Sequence, residues 1–299
     1  MKKYIAVVAL LCLVLCGCDG AGSSSGTTTS PSGSDSGTST PSGSFEDDGS
    51  SSDGTTPGNM SSGNGSETET IVSASSKVFG WGMGKELNEK NQPVESIRCN
   101  EKYADLNAVF IGKDEKVIYL TFDAGYENGN TAKILDTLKN KKVKATFFLV
   151  YDYVEKNPEL VKRMINEGHI IGNHSYSHKC IPKLSTEAGT EEIMKMHNFM
   201  KEQYGFDMKV FRFPAGEYSG QAMSLVKGLG YKSVFWSYAY VDWVTDKQIG
   251  EQAALKKLTD NIHNGAIYLL HPVSDDNAAI LGDFIDACTQ KGYTFSTEF

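Results

Sequence analysis

Residues 117–139 read VIYLTFDAGYENGNTAKILDTLK and contain one complete strand–loop–helix unit. The apolar run Val117–Phe122 predicts a buried strand, and the glycine- and asparagine-rich stretch that follows it predicts a loop. The spacing of apolar residues over Thr131–Lys139 predicts an amphipathic helix. One carboxylate, Asp123, stands where the strand passes into the loop. The sequence after this unit repeats the same pattern.

Six further apolar runs predict strands, and five further segments between them predict helices. The runs are Ala145–Val150, His169–Gly172, Val210–Phe213, Ser233–Trp236, Ala266–Leu270 and, more weakly, Tyr293–Ser296. The helical segments are Pro158–Glu167, Thr186–Tyr204, Gln221–Gly230, Lys247–Ile262 and Asn277–Lys291. Regular alternation of strand and helix is typical of a parallel α/β sheet. About seven units predict an incomplete (β/α) barrel, with an open doubly wound sheet as the alternative.

The amino terminus has the features of an export signal. Residues 1–18 carry Lys2 and Lys3, then an apolar run too short to span a membrane. The ending Leu15-Cys16-Gly17-Cys18 resembles a bacterial lipobox, which implies cleavage before Cys18 and attachment of lipid to it. Simple signal cleavage with a free mature terminus is the alternative. We expect an extracytoplasmic lipoprotein, anchored at the membrane through Cys18 and facing the cell wall.

Composition separates a linker from a domain. Residues 19–76 are mostly Ser, Gly, Thr and Pro, with eight acidic and no basic side chains. Such a segment buries too little apolar surface to offset its ordering entropy, so we predict a disordered acidic linker. Residues 77–299 suit one domain, which is nearly neutral and therefore gives no indication of nucleic-acid binding. We expect this domain to be monomeric.

Polar clusters follow five of the predicted strands. They are Asp123, His174–His178, Arg212–Gly216, Asp242–Trp243 and His271. In a barrel, functional groups gather at the carboxyl ends of the strands. The common placement of these clusters therefore predicts a single site.

Each cluster alone has an ordinary structural explanation. His174 and His178, four residues apart, could hold one metal ion or could be a pair of surface histidines. Asp123 could cap a loop. Arg212 at a buried strand end needs a carboxylate partner, for which Asp123 or Asp242 would serve. His271 could be a core histidine, or a general acid that Asp242 orients and whose pKa Asp242 raises.

The motifs resemble a known family. TFDAGYE, HSYSH, RFPAG, VDW and LLH occur in the order of the five motifs of the NodB-homology polysaccharide deacetylases, also called carbohydrate esterase family four. FGWG at 79–82, GHIIGNHSYSH, VFWSYAYVDW and GAIYLLHPVSDDNA are similar to the branch that removes acetyl groups from N-acetylmuramic acid during δ-lactam formation. The resemblance implies a distorted barrel of about seven strand–helix units.

The resemblance also implies a role for each cluster. His174 and His178 would hold one divalent ion, zinc by expectation, with cobalt or manganese as alternatives. Asp123 would be the general base held by Arg212, and His271 the general acid tuned by Asp242. The backbone N–H of Ala215 would stabilise the oxyanion. Pro214, Trp243 and Leu269 would contact substrate, the last two as walls of the acetyl pocket or simply as core.

Position 124 departs from the family pattern. Most members have an aspartate there as the third metal ligand, and asparagine is usual in the muramic branch, whereas this chain has Ala124. We expect a two-histidine site completed by water or substrate oxygens, with Glu127, Asn128 or Cys180 as conceivable third ligands. The domain's three cysteines, Cys99, Cys180 and Cys288, can form at most one bridge, and we predict no essential disulfide.

Three functions remain open on sequence grounds. The first is an N-acetylmuramic acid deacetylase acting on peptidoglycan glycan strands, with a sporulation role if the branch's role carries over. The second is a deacetylase of N-acetylglucosamine polymers. The third is a non-catalytic glycan-binding lipoprotein in which Ala124 marks a lost metal site. Because Asp123 and the other catalytic positions are retained, we favour an active enzyme.

Overall fold

The computed structural model describes residues 75–299. The predicted signal segment, Cys18 and residues 19–74 of the predicted linker lie outside the described residues, so these predictions stay predictions. Within 75–299, no helix is both long enough and apolar enough to cross a membrane.

A curled parallel sheet forms the centre of the described chain. An antiparallel pair, β1 (Phe79–Gly80) and β7 (Glu217–Tyr218), lies apart from it. The sheet strands are β2 (Ala108–Val109), β3 (Val117–Ala124), β4 (Thr146–Leu149), β5 (Ile170–Asn173), β6 (Val210–Phe211), β8 (Lys232–Val234), β9 (Tyr238–Ala239), β10 (Ala266–Leu270) and β11 (Thr294–Phe295). Their order is β2-β8-β6-β5-β4-β3-β10-β9, with β11 also paired to β3.

The sheet makes an incomplete and distorted barrel. All of its pairs are parallel. Among the described residues no ladder joins β2 to β9, so the barrel is open between these two edges. β4 pairs with the carboxyl half of β3 (Thr121–Ala124), while β11 pairs with its first residues, Val117 and Ile118. Two strands therefore pair with different parts of β3, and this double pairing distorts the barrel. The predicted incomplete (β/α) barrel is confirmed.

Helices cover the outside of the sheet. They are α1 (Val94–Lys102), α2 (Thr131–Lys141), α3 (Tyr151–Lys156), α4 (Pro158–Asn166), α5 (Thr186–Tyr204), α6 (Gly220–Gly228), α7 (Glu251–Asp260) and α8 (Asp275–Gln290). Serine side chains cap α5, α6 and α8, because Ser185, Ser219 and Ser274 accept from the backbone N–H groups of Ala188, Ala222 and Asn277. The third of these caps lies beside the candidate site.

A small apolar cluster fills the inside of the barrel. Tyr119, Phe148, Val210, Val234 and Ile267 are its buried members. At one end the guanidinium of Arg212 lies over the Phe148 ring, 4.1 Å from the ring centroid. The inside of the barrel is therefore a packed core rather than a channel.

The predicted elements differ from the observed ones mainly at their ends. Every predicted strand is present, although the one predicted over Ser233–Trp236 is β8, which ends at Val234. The helix predicted over Lys247–Ile262 begins only at Glu251, because Gly250 has a positive φ of 89°. The elements α1, α3, β1, β2, β7 and β9 were not predicted.

Candidate active site

The five polar clusters come together at the carboxyl end of the barrel. Asp123 belongs to β3, His174 follows β5, Arg212 follows β6 and His271 follows β10. Asp242 follows β9 rather than β8, because the chain forms a second short strand before it. Asp123, His174 and His271 line one cavity, and the buried Arg212 and Asp242 lie behind it as the partners of Asp123 and His271.

Asp123 and Arg212 form a buried ion pair. Arg212 has no solvent exposure, and its Nη1 donates to Asp123 Oδ1 at 2.7 Å and to Thr121 Oγ1 at 2.8 Å. The other nitrogens of the guanidinium are held by the backbone oxygens of Val234 and Phe235. Burial by itself raises the pKa of Asp123, but the nearby charges of Arg212, His174 and His271 lower it overall. Asp123 is thus held as a carboxylate, and its partner is Arg212.

The two histidines of HSYSH lie side by side. Their ring centroids are 4.9 Å apart. His174 Nδ1 lies 2.9 Å from the backbone oxygen of Arg212, so Nδ1 carries the hydrogen and Nε2 keeps a free lone pair. That Nε2 is 3.6 Å from Asp123 Oδ2. Burial lowers the pKa of His174 to about 4 and also lowers that of His178, so both imidazoles are neutral near pH 7.

The imidazoles of His174 and His178 could supply part of the coordination shell of a divalent cation. Neutral imidazole nitrogens are ligands for zinc and similar ions. However, in the part of the chain that the structure describes, no group of three His, Cys, Asp or Glu side chains is arranged to hold one ion. Ala124 packs in the main hydrophobic core.

The conceivable third ligands face other partners. Glu127 accepts from Thr131 and Tyr153, and Asn128 donates to the backbone oxygen of Val273. The thiol of Cys180 interacts with Glu217. None of the three lines the cavity.

His271 is oriented by Asp242. Its Nδ1 lies 2.7 Å from Asp242 Oδ1, and its backbone N–H donates to Asp242 Oδ2 at 2.8 Å. Burial by itself lowers the pKa of His271, but the hydrogen bond and charge of Asp242, together with the charge of Asp123, raise it overall. Since Nδ1 is committed to the carboxylate, Nε2 is the nitrogen that can exchange a proton.

The cavity above these groups has a volume of about 610 Å³. Its apolar walls include Trp243, which is 46% exposed and packs 5.3 Å from the His271 ring, and the buried Leu269. Tyr126 and Val241 stand at the rim and are 53% and 57% exposed. The cavity thus joins a polar base to a largely apolar mouth.

The RFPAG segment contributes backbone to the cavity. Ala215 lines it in the left-handed conformation, with φ 54°. Gly216 beside it has φ 67°, and a β-carbon there would lie 2.6 Å from the Trp236 ring, so only glycine fits. Pro214, predicted to contact substrate, is buried and is not among the residues that line the cavity.

The sequence prediction missed several residues of this site. Tyr126, Trp236, Tyr240, Val241 and Val273 line the cavity, and Thr121 holds the guanidinium of Arg212. Most of them stand within one to three residues of a predicted site residue, which is the signal that could have identified them. Asn277, which contacts Asp242, lies outside that spacing, although the quoted stretch GAIYLLHPVSDDNA contains it.

The chain is similar to known polysaccharide deacetylases in sequence and in fold. The family model described as polysaccharide deacetylase matches residues 111–234. The peptidoglycan-N-acetylmuramic acid deacetylase PdaA of Bacillus subtilis is 41% identical over 222 residues, covering 73% of this chain and 83% of that protein. Its solved structure, described as a family 4 carbohydrate esterase, has a TM-score of 0.70 at 39% identity, covering 74% of this chain and 95% of the other.

A relative that is named for a different sugar is also similar to this chain. The peptidoglycan-N-acetylglucosamine deacetylase PgdA of Listeria monocytogenes is 35% identical over 185 residues. That match covers 62% of this chain and 38% of the relative, so this chain corresponds to less than half of that protein.

Proposed function

Because this chain belongs to the polysaccharide deacetylase family, we propose that it hydrolyses N-acetyl groups of peptidoglycan, with N-acetylmuramic acid as the substrate sugar. The similarity to PdaA over most of that protein's length supports the choice of sugar. The observation that carries the chemistry is the cavity itself, which presents a paired carboxylate and a carboxylate-oriented imidazole.

Amide hydrolysis needs a base for water, a stabilised oxyanion and an acid for the departing nitrogen. Asp123 is the base, because it lines the cavity and Arg212 binds only its Oδ1, while its Oδ2 lies 3.6 Å from His174 Nε2. His271 is the acid, because its Nε2 is the nitrogen free to give a proton. The backbone N–H of Ala215 is the oxyanion donor.

His174 and His178 are the residues that would hold a divalent ion, zinc in the first instance. Such an ion supplies Lewis acidity toward the acetyl carbonyl and the attacking water. The remaining coordination positions fall to water and substrate oxygens, since Ala124 offers no ligand. Trp243 and Leu269 enclose the acetyl group and exclude water from it.

Acetate release tests the proposal. The purified protein is incubated with peptide-free peptidoglycan strands and, separately, with chitin oligomers, with and without divalent ions. Release from wall glycan alone, together with conversion of muramic residues, is the expected result. Equal release from chitin would favour the alternative function, a deacetylase of N-acetylglucosamine polymers. Binding without release would favour a non-catalytic glycan-binding protein.

We further propose a location for the protein, based on the lipobox-like sequence at its amino terminus. A lipid on Cys18 would tether the domain through residues 19–76 at the outer face of the membrane, within reach of peptidoglycan. Membrane association that is lost in Cys18→Ala is the expected result, and unchanged association would contradict the anchor.

A further inference from the structure

The carboxylate of Asp242 has more partners than His271. Its Oδ1 faces His271 Nδ1, and its Oδ2 accepts from the backbone N–H of His271 and from Asn277 Nδ2 at 2.6 Å. Asn277 lies 35 residues further along the chain, in the first turn of α8, and is 2% exposed. Each oxygen of Asp242 therefore has a fixed donor.

The amide of Asn277 can face Asp242 in only one way. A carboxylate oxygen accepts but does not donate, so the Nδ2 group must point at Asp242. The Oδ1 of Asn277 then accepts from the hydroxyl of Tyr240 at 2.6 Å. Tyr240 itself lines the cavity. The orientation of Asn277 is thus fixed from both sides.

The start of α8 also holds the backbone of Asp242. Gln248 Nε2 donates to the backbone oxygen of Asp242 at 3.0 Å. Gln248 Oε1 in turn accepts from Ser274 Oγ at 2.6 Å, and Ser274 is the N-cap of α8. Side chain and backbone of Asp242 are therefore tied to the same helix end.

We propose that Asn277, oriented by Tyr240, is a positioning residue for the proton-donating step. It acts through Asp242, whose fixed carboxylate keeps the hydrogen of His271 on Nδ1 and leaves Nε2 free to face the departing nitrogen. This inference rests on the proposed function, in which His271 is the general acid. Loss of a partner that orients a metal-ligating histidine typically costs about 10- to 100-fold in activity, and we expect an effect of the same order for the oriented His271.

The first test compares two leaving groups. Asn277→Leu keeps the size of the side chain and removes the donor. We expect release of acetate from an N-acetyl sugar to fall about 10- to 100-fold in kcat with little change in KM. Hydrolysis of 4-nitrophenyl acetate should fall by no more than roughly twofold, because its leaving group needs no proton. An equal loss on both substrates, or none on either, would overturn the proposal.

A matched control contacts the same helix: Asn130 is the N-cap residue of α2, and its partner Asp275 is the first residue of α8. Asn130 is 3% exposed, and its Nδ2 donates to Asp275 Oδ1 at 2.6 Å, the same contact without a link to His271. Asn130→Leu should leave the ratio of amide to ester activity unchanged. Should Asn277→Leu not fold, Asn277→Ala removes the same donor without adding bulk or charge, and the same change in the ratio is expected.

The second test does not depend on turnover. Nitrogen NMR of histidine-labelled protein reports which ring nitrogen carries the hydrogen, and His271→Gln identifies the signal. The unsubstituted protein should show the Nδ1–H form of neutral His271, and Asn277→Leu a mixture of both forms. A single unchanged form in Asn277→Leu would refute the positioning role. If no substrate is turned over, the proposed function fails while this measurement still decides the positioning.

Discussion

Arg212 Nη1 lies 2.7 Å from Asp123 Oδ1, and both side chains are buried. The guanidinium is fully enclosed by Thr121, two backbone oxygens and the Phe148 ring. A buried charge of this kind persists only when it is paired and hydrogen-bonded. The pair fixes the position and the charge of the proposed base at the mouth of the barrel.

Removal of Arg212 leaves an unpaired buried carboxylate. We expect Arg212→Met to lower the free energy of unfolding by about 3–5 kcal/mol. Adding Asp123→Asn should recover part of this loss, because the uncompensated charge is then gone. Urea denaturation of the two single variants and the double variant measures it. A double variant no more stable than Arg212→Met would show that the ion pair is not the cause.

The pH dependence of the activity follows from the two shifted groups. Asp123 must be ionised, and its lowered pKa keeps it so below the usual value of 3.8. His271 must be protonated, and its raised pKa keeps it so above the usual 6.5. We therefore expect a broad bell-shaped pH profile of kcat/KM, which rises as Asp123 ionises and falls as His271 loses its proton.

In Asp242→Asn, the alkaline limb of the pH profile of kcat/KM should move to lower pH, because the carboxylate that raises the pKa of His271 is gone. Asp276→Asn serves as the control, since Asp276 is also buried but its Oδ2 accepts from the backbone N–H of Gly250. An alkaline limb that stays in place in Asp242→Asn would contradict the assignment of His271 as the acid.

Metal binding should depend on the paired histidines. We expect the apparent affinity for Zn²⁺, measured by titration calorimetry, to fall at least about tenfold in His178→Ala. Dialysis against a chelator should abolish deacetylation, and added Zn²⁺ should restore it. His197→Ala is the matched control, because His197 pairs with Asp207 outside the cavity. Full activity after chelation would show that the ion takes no part in the mechanism.

The apolar rim should contribute to glycan binding. Trp243 and Tyr126 stay about half exposed although such large rings usually bury their surface. We expect Trp243→Ala to raise KM for glycan strands about tenfold. Leu87→Ala should not, because Leu87 is similarly exposed (47%) but does not line the cavity. Equal effects of the two substitutions would indicate a general loss of stability instead.

Local sequence signals predict the bounds of some elements to the residue. α5 runs from Thr186 to Tyr204 as predicted, because Ser185 caps its start and Gly205 adopts a left-handed φ of 63° at its end. The helix α1 was missed because it has no side chain cap after Pro93 and its buried face is small. The six-residue α3 and the two-residue strands are too short to show a period.

The sequence predicts those site residues that carry reactive side chains and also lie at the ends of apolar runs. Asp123, His174, Arg212 and His271 each follow or end an apolar run, and the structure brings them together. The residues by themselves left two carboxylates open as the partner of Arg212; the family resemblance implied Asp123, and the folded chain has this pair. Contacts such as Asn277 with Asp242 depend on how a helix start packs against a distant loop, which no local pattern records.

Acetate release from peptide-free peptidoglycan by the intact protein and by Asp123→Asn tests the central claim most directly. The account predicts release by the first and a loss of at least about 100-fold in the second, with the fold unchanged by circular dichroism. Equal release by both proteins would contradict the role of Asp123. No release by either, under any divalent ion, would contradict the proposal that this cavity is a deacetylase site.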